Sequence, residues 1–356
     1  MTAAETAGTE EIRTRYAEPL RDLWYYALPS AELKRGRMLA KTMLGETLLL
    51  ARDAEGAVFV LRNICPHRGV PLTYGSFDGR EVQCPYHGWR FDAAGRCTAI
   101  PALSDRQAGM HKGIRVKAYT AVESQGNVWI HFGTGGETPP PVPLLPGLPE
   151  RSNGVVVKIR VACGFDHAVI GLIDPAHGPF VHRSWWWRTR RSMHEKAKSY
   201  GPSPRGFTMA RHKPSSNSFA YRILGGRPET EITFRLPGIR VEHIRIGRHH
   251  VCNLTAVTPL APGTVEITNA IYWTMPWMAP AKPLLRLFAS RFLNQDRAIL
   301  RQQQEGLAFD PPLLLLGDAD APARWYYRLK KEHINAGVAG RPFVNPVRDS
   351  VLRWRT

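Results

Sequence analysis

Four side chains of this 356-residue chain have the spacing of a metal site: Cys65-Pro66-His67, then sixteen residues, then Cys84-Pro85-Tyr86-His87. Two thiolates and two imidazoles suit tetrahedral zinc. They equally suit a [2Fe–2S] cluster with two Cys on one iron and two His on the other, where neutral imidazole in place of thiolate raises the reduction potential. The flanks favour the cluster. Each pair lies in a short turn containing Pro and Gly, Cys65-Pro66-His67-Arg68-Gly69 and Cys84-Pro85-Tyr86-His87-Gly88-Trp89. Such turns leave backbone N–H groups free to point at sulfur. Further on come Asp174, His177 and His182. Two His and one carboxylate make the facial triad of mononuclear Fe(II) sites, which leaves open positions for dioxygen and substrate. Asp174 and His177 are three apart and share a face of a helical turn. Gly178-Pro179 is expected to break that helix and swing His182 back toward the metal.

The first set, continued by Trp89 and Arg90, resembles the Rieske domain of the Rieske non-haem iron oxygenases, and the resemblance runs from about residue 20 to residue 310. It implies a [2Fe–2S] Rieske cluster on Cys65, His67, Cys84 and His87, feeding a mononuclear Fe(II) that uses O2. It also implies that Asp174 is a catalytic bridge rather than an iron ligand: His87 of one subunit meets Asp174 of another, which in turn holds His177. The third iron ligand then lies downstream beside His177 and His182. Asp296 is the candidate, in Arg291-Phe292-Leu293-Asn294-Gln295-Asp296, with Asp310, Asp318 and Asp320 as rivals in loop sequence. One departure stands out. Many members carry an amide three or four residues before the bridging aspartate, whereas this chain has Ile170 and Gly171. That puts the hydrogen bonding around Asp174 in doubt, not the iron site.

The elements that position these residues are legible in outline. Residues 47–51, 57–61 and 127–131 read as strands in a region of short alternating runs and turns. The stretch from Gly133 to Pro149 is rich in Gly and Pro, as a linker would be. A strand over 155–161 precedes the iron-ligand helix, and further β-rich runs follow to Trp273. A helix over about 282–306 has Leu285, Phe288, Phe292, Ile299 and Leu300 on one broad face, and a last helix covers about 322–335. The fold class is α+β. It comprises a disordered arm (1–20), an all-β Rieske [2Fe–2S] domain (21–135), a linker (136–150), a catalytic domain (151–340) and a C-terminal tail (341–356). The resemblance implies a helix-grip arrangement for the catalytic domain, an antiparallel sheet around a long helix.

Net charge is +18, and residues 151–356 carry thirty-one basic against fourteen acidic side chains. No nucleic-acid motif accompanies this excess, so nucleic acid is not the expected partner. An acidic electron donor, an anionic substrate or membrane surface, and a merely solvated basic face compete to explain it. Arg183, Arg188, Arg190 and Arg191 crowd behind the iron ligands, and Trp185-Trp186-Trp187 either wall an apolar pocket or simply pack. Cys97, Cys163 and Cys252 read as structural thiols, and His111, His131, His194 and His333 as ordinary packed or surface histidines; His167, ten residues before His177, is a candidate to approach the iron site, with simple packing or hydrogen bonding the preferred reading. With no export signal and no apolar stretch long enough to span a membrane, a cytoplasmic location is expected. No Gly-x-Gly-x-x-Gly follows a strand, so electrons are expected from a separate NAD(P)H reductase, with or without a ferredoxin. The reading is a terminal oxygenase acting on a bulky hydrophobic, aromatic or polycyclic substrate by hydroxylation or oxidative demethylation, assembled as a homotrimer or hexamer. The rival is a Rieske electron-transfer protein without oxygenase chemistry.

Overall fold

The computed structural model describes residues 19–133, 138–182, 193–214 and 228–356. Most of the expected arm, the three consecutive tryptophans and the four arginines behind His182 lie outside the described residues. The chain divides into two compact units: Arg21–Leu144 with Thr258–Pro262, and Leu145–Val257 with Gly263–Thr356.

The first unit is all β. Its strands are β1 (Trp24–Pro29), β2 (Arg37–Met43), β3 (Glu46–Arg52), β4 (Val58–Arg62), the short β5 (Ser76–Phe77), β6 (Val82–Gln83), β7 (Arg90–Phe91) and β8 (Cys97–Ala99), then β9 (Ala118–Ser124) and β10 (Asn127–His131). Six form one sheet in the order β1-β10-β9-β4-β3-β2, and β5 to β8 form a four-stranded sheet. Two hairpins turn on two residues with positive φ, Leu44-Gly45 (53° and 74°) and Gln125-Gly126 (48° and 73°), the handedness that matches strand twist. Leu49, Ala51, Phe59, Leu61, Leu72, Val82 and Phe91 build a core, and Cys65 and Cys84 are buried in it.

The second unit is an antiparallel sheet with helices. Its strands are β11 (Asn153–Ala162), β12 (Glu195–Ser203), β13 (Gly206–His212), β14 (Glu229–Arg235), β15 (Ile239–Ile246), β16 (His249–Ala261), β17 (Thr264–Trp273) and β18 (Ser350–Arg355). They lie in the order β11-β17-β16-β15-β14-β13-β12-β18. The helices are α1 (Phe165–Ile173), the single-turn α2 (Gly178–Val181), α3 (Lys282–Leu307) and α4 (Ala321–Val338). The long helix runs beside β11. Near its start the Lys282 ammonium donates to Asn153 Oδ1 (3.1 Å), and near its end Gln304 Oε1 accepts from the Gly164 N–H (3.4 Å). Among the described residues no helix is long and apolar enough to cross a membrane.

Two expectations need correction. The residues assigned to a C-terminal tail include an edge strand: β18 pairs with β12 from Ser350↔Tyr200 to Arg355↔Glu195. Leu352 and Trp354 are buried while Val351 stands 57 % exposed, the alternation of a half-buried strand. The apolar face expected on α3 is also displaced. Phe288, Phe292 and Ile299 are exposed, and the buried positions are Ala289, Leu293 and Leu300. Spacings of four and seven place these three on one stripe, and Asp296, three residues after Leu293 and four before Leu300, falls inside it.

Candidate functional site

Two loops of the first unit carry the cysteines and histidines, and both close in the same way. In the first, the Gly69 N–H donates to the Cys65 carbonyl (2.9 Å) and the Cys65 N–H to the Val70 carbonyl (2.9 Å). In the second, Gly88 N–H donates to Cys84 O (3.1 Å) and Cys84 N–H to Trp89 O (2.8 Å). Each loop thus needs a residue of positive φ four positions after its cysteine, which Gly69 (75°) and Gly88 (71°) supply. The two thiols are each 2 % exposed and face one another inside the core. Burial pushes the Cys65 thiol up to about 11, against the pull of the His67 and Arg68 backbone N–H groups on its sulfur, with Cys84 beside it. Those N–H groups are the ones that would stabilise anionic sulfur once a metal displaced the protons. The imidazoles lie on the outer side, His67 exposed and His87 half-buried, with ring centroids 4.5 Å apart. Trp89 stacks on His67 at 4.6 Å and 5°, fixing its plane. Two buried thiols and two outward imidazoles fit a [2Fe–2S] cluster with sulfur ligands on one iron and nitrogen ligands on the other. Cys97 stays apart, its thiol donating to the Ala99 carbonyl (3.7 Å).

In the second unit α1 ends at Ile173, and Asp174 is its extended C-cap (ψ 121°). The cause is Pro175, whose ring excludes the helical conformation from the residue before it. Asp174 and His177 therefore do not share a helical turn as expected. Pro179 does not break a helix either: it sits in the first turn of α2, where proline is tolerated, and His177 is the N-cap. The result still brings the ring nitrogens together. His177 Nε2 lies 3.1 Å from His182 Nε2, and Asp296 Oδ1 lies 3.0 Å from His182 Nε2 and 4.0 Å from His177 Nε2. Among the described residues these three form the group whose donor atoms could share one ion. Donors about 2.1 Å from a cation in mutually cis positions stand about 3 Å apart, the spacing of His182 Nε2 from each of the other two donors, whereas His177 Nε2 and Asp296 Oδ1 at 4.0 Å stand wider than a cis pair.

Both imidazoles are held by their other nitrogen. His177 Nδ1 donates to the backbone carbonyl of Asp174 (3.0 Å), with the Asp174 carboxylate 3.6 Å away. That carboxylate also accepts from the Ala176 N–H (2.7 Å). Burial pulls His177 down, but the Asp174 and Asp296 carboxylates outweigh it and hold the imidazole above its ordinary range. His182, only 3 % exposed, has its Nδ1 3.1 Å from Gln295 Oε1 and its ring stacked on Phe292 at 3.4 Å. Gln295 and Phe292 carried no signal as site residues in the sequence, because a lone amide or ring has no diagnostic spacing.

The rival carboxylates have other work. Asp320 Oδ2 accepts from the Leu316 N–H (2.7 Å) and Asp318 Oδ2 from the Arg353 N–H (2.8 Å). His167 and Asp310 are not in the metal-binding group. The support for α1 is ionic. Asp166 in its first turn accepts from Lys330 (2.6 and 2.7 Å) and from the Tyr326 hydroxyl (2.5 Å), both on α4.

Residues 23–120 match the model of the Rieske [2Fe-2S] domain, so this chain carries that domain and its cluster. The oxygenase subunit of 3-chlorobenzoate-3,4-dioxygenase from Comamonas testosteroni is 35 % identical over 166 residues, 46 % of this chain and 38 % of that one. The oxygenase component of dicamba O-demethylase from Stenotrophomonas maltophilia is 32 % identical over 173 residues, covering 46 % and 48 %. The curated relatives are matched over between 26 and 54 % of their own length. The crystal structure of dicamba monooxygenase bound to dicamba has the same fold, with a TM-score of 0.71 at 21 % identity, over 90 % of this chain and 98 % of that one. The chain thus carries a Rieske [2Fe-2S] domain and shares the fold of dicamba monooxygenase.

Proposed function

We propose that this Rieske protein is a terminal oxygenase with a mononuclear iron held by His177, His182 and Asp296. The observation that carries the proposal is the convergence of those three donors within 4.8 Å of one another, in a chain that also bears a Rieske domain. A pure electron carrier has no use for a second donor set with open positions, which weighs against that rival. The iron, when bound, supplies the activation of dioxygen. The chain's own residues orient it. His67 and His87 offer the solvent-side edge of the cluster to a donor or a neighbouring subunit, while Cys65 and Cys84 keep the other iron in the core. The Asp174 carboxylate would accept a hydrogen bond from His87 of a second subunit while holding His177, a reading supported by its 33 % exposure and its 3.6 Å distance from His177.

The substrate class we infer is a bulky hydrophobic molecule with an aromatic or polycyclic frame, oxidised by hydroxylation or oxidative demethylation. The names of the relatives, a chlorobenzoate dioxygenase and a dicamba demethylase, support an aromatic frame. A separate NAD(P)H reductase, with or without a ferredoxin, supplies electrons. The homotrimer or hexamer follows from the cross-subunit bridge. Five free cysteines suit a reducing compartment such as the cytoplasm. The test is iron and acid-labile sulfide per chain, with EPR of the reduced protein, on wild type and His177→Ala. The expected result is three irons and two sulfides in wild type, falling to two irons with an unchanged Rieske signal in the variant. Two irons in both proteins would leave an electron carrier.

A further inference from the structure

His182 is the least exposed of the three proposed iron ligands, and one helix addresses it from three directions. Phe292 lies parallel to the imidazole, with ring centroids 3.4 Å apart and planes 16° from one another. Gln295 Oε1 is 3.1 Å from Nδ1, and Asp296 Oδ1 is 3.0 Å from Nε2. Residues 292, 295 and 296 stand at i, i+3 and i+4 on α3, so one face of the helix meets the ring's plane, its outer nitrogen and its inner nitrogen.

The chemistry of a neutral imidazole makes the outer contact decisive. The ring has one N–H, and the nitrogen that lacks it is the metal donor. An oxygen at 3.1 Å from Nδ1 accepts that N–H and leaves the Nε2 lone pair facing His177 and Asp296. His177 obtains the same result differently, since its Nδ1 donates to the main-chain carbonyl of Asp174. That carbonyl is present whatever side chain stands at position 174. For His182 the acceptor is a side chain, so the tautomer of this one ligand rests on a residue that substitution can remove.

We infer that Gln295 is a positioning residue for the mononuclear iron: it sets the tautomer and orientation of His182. The inference rests on the iron-site reading above. Gln295 is itself exposed, so the packing of α3 does not depend on it. The stripe that packs the helix is Ala289, Leu293 and Leu300. A bystander amide on an exposed helix position would contribute nothing to metal binding.

The test compares Gln295→Met, of similar length but without the carbonyl, with Gln295→Glu, which keeps an acceptor at the same reach. Both are good helix formers. Purified holoenzyme is dialysed against a graded ferrous chelator, and mononuclear iron is followed alongside the Rieske EPR signal and the unfolding temperature. Outer-shell partners of metal-bound histidine typically contribute a factor of about 10–100 in affinity. The Met variant is therefore expected to release its mononuclear iron at 10- to 100-fold lower chelator, with cluster signal and unfolding temperature unchanged. The Glu variant should stay within about threefold of wild type. Retention by the Met variant equal to wild type overturns the inference, and so does equal loss from Met and Glu. Wild type that holds only the two cluster irons removes the iron-site reading instead, and is told apart because the difference appears before any substitution.

Discussion

Replacing Asp174 by Asn separates a bridge from a ligand. The substitution keeps the backbone carbonyl that receives the His177 N–H and an amide oxygen that can accept from Ala176. What disappears is one negative charge 3.6 Å from the imidazole. The ligating imidazole is neutral, so the carboxylate acts on the N–H dipole of the ring rather than on a unit charge, and with the His177 and Asp174 side chains 26 % and 33 % exposed the loss in holding the ring is about 1–2 kcal/mol. Iron affinity should fall about tenfold, within the range of outer-shell effects. Turnover per bound iron, measured with saturating ferrous ion and an excess of reductase, should fall much further, because the proposed link from His87 of a second subunit to His177 runs through that carboxylate. The assay pairs iron titration with a rapid-mixing measurement of cluster oxidation in the presence of substrate. Unchanged turnover per bound iron would refute the bridge. A loss of iron affinity of a thousandfold or more would instead make Asp174 a ligand.

Other perturbations have equally definite outcomes. Asp296→Ala should abolish mononuclear iron while leaving two irons, two sulfides and the Rieske signal, as metal analysis and EPR will register. Lys330→Met removes the ammonium from Asp166 and leaves it the Tyr326 hydroxyl, and breaking a buried pair costs about 3–5 kcal/mol. Because Asp166 is 25 % exposed, the lower figure applies, and the unfolding temperature should drop by about 6–12 °C for a unit of this size. Stability should also carry an acid limb from His243 and His250, stacked with Nε2 and Nδ1 2.9 Å apart. Burial and the neighbouring imidazole depress His243 to about 4, so the unfolded chain takes up its proton first as pH falls. The stability is therefore complete above the ordinary histidine value and declines between about 6.5 and 4, and His243→Gln should flatten that limb in denaturant titrations.

The cluster was legible because its geometry is local: cysteine, histidine and glycine within five residues define each loop, and no distant contact is needed to shape it. That His177 and His182 come together was legible by type and spacing, but for an incomplete reason. Pro175 rather than Pro179 ends the first helix, and the rule about the residue preceding proline was the available signal. Asp296 was recognised as a candidate by its place on a long helix, yet the face of that helix was misassigned. Counting large apolar side chains favoured Phe288, Phe292 and Ile299, whereas Ala289, Leu293 and Leu300 are the ones that pack. The final strand was missed because its period of two, Leu352 and Trp354 inside with Arg353 and Arg355 outside, is short and lies after a long loop. Gln295 had no sequence signal at all, since its role depends on a ring more than one hundred residues earlier.

The composition of the first unit bears on how the protein is made. Thr258–Pro262 belongs to that unit: Leu44 and Gly45 donate their N–H groups to the Pro259 and Leu260 carbonyls (2.7 and 2.8 Å), and the Thr258 hydroxyl donates to the Tyr26 carbonyl (3.0 Å). On the ribosome, Leu144 emerges 118 residues before Pro262. At roughly 5–20 residues per second the interval is about 6–24 s. Both cysteine loops are complete at its start, while the N–H groups of the Leu44-Gly45 turn wait for their acceptors until its end. Cluster assembly has access to the loops throughout that interval, before the long helix that carries Asp296 has been synthesised.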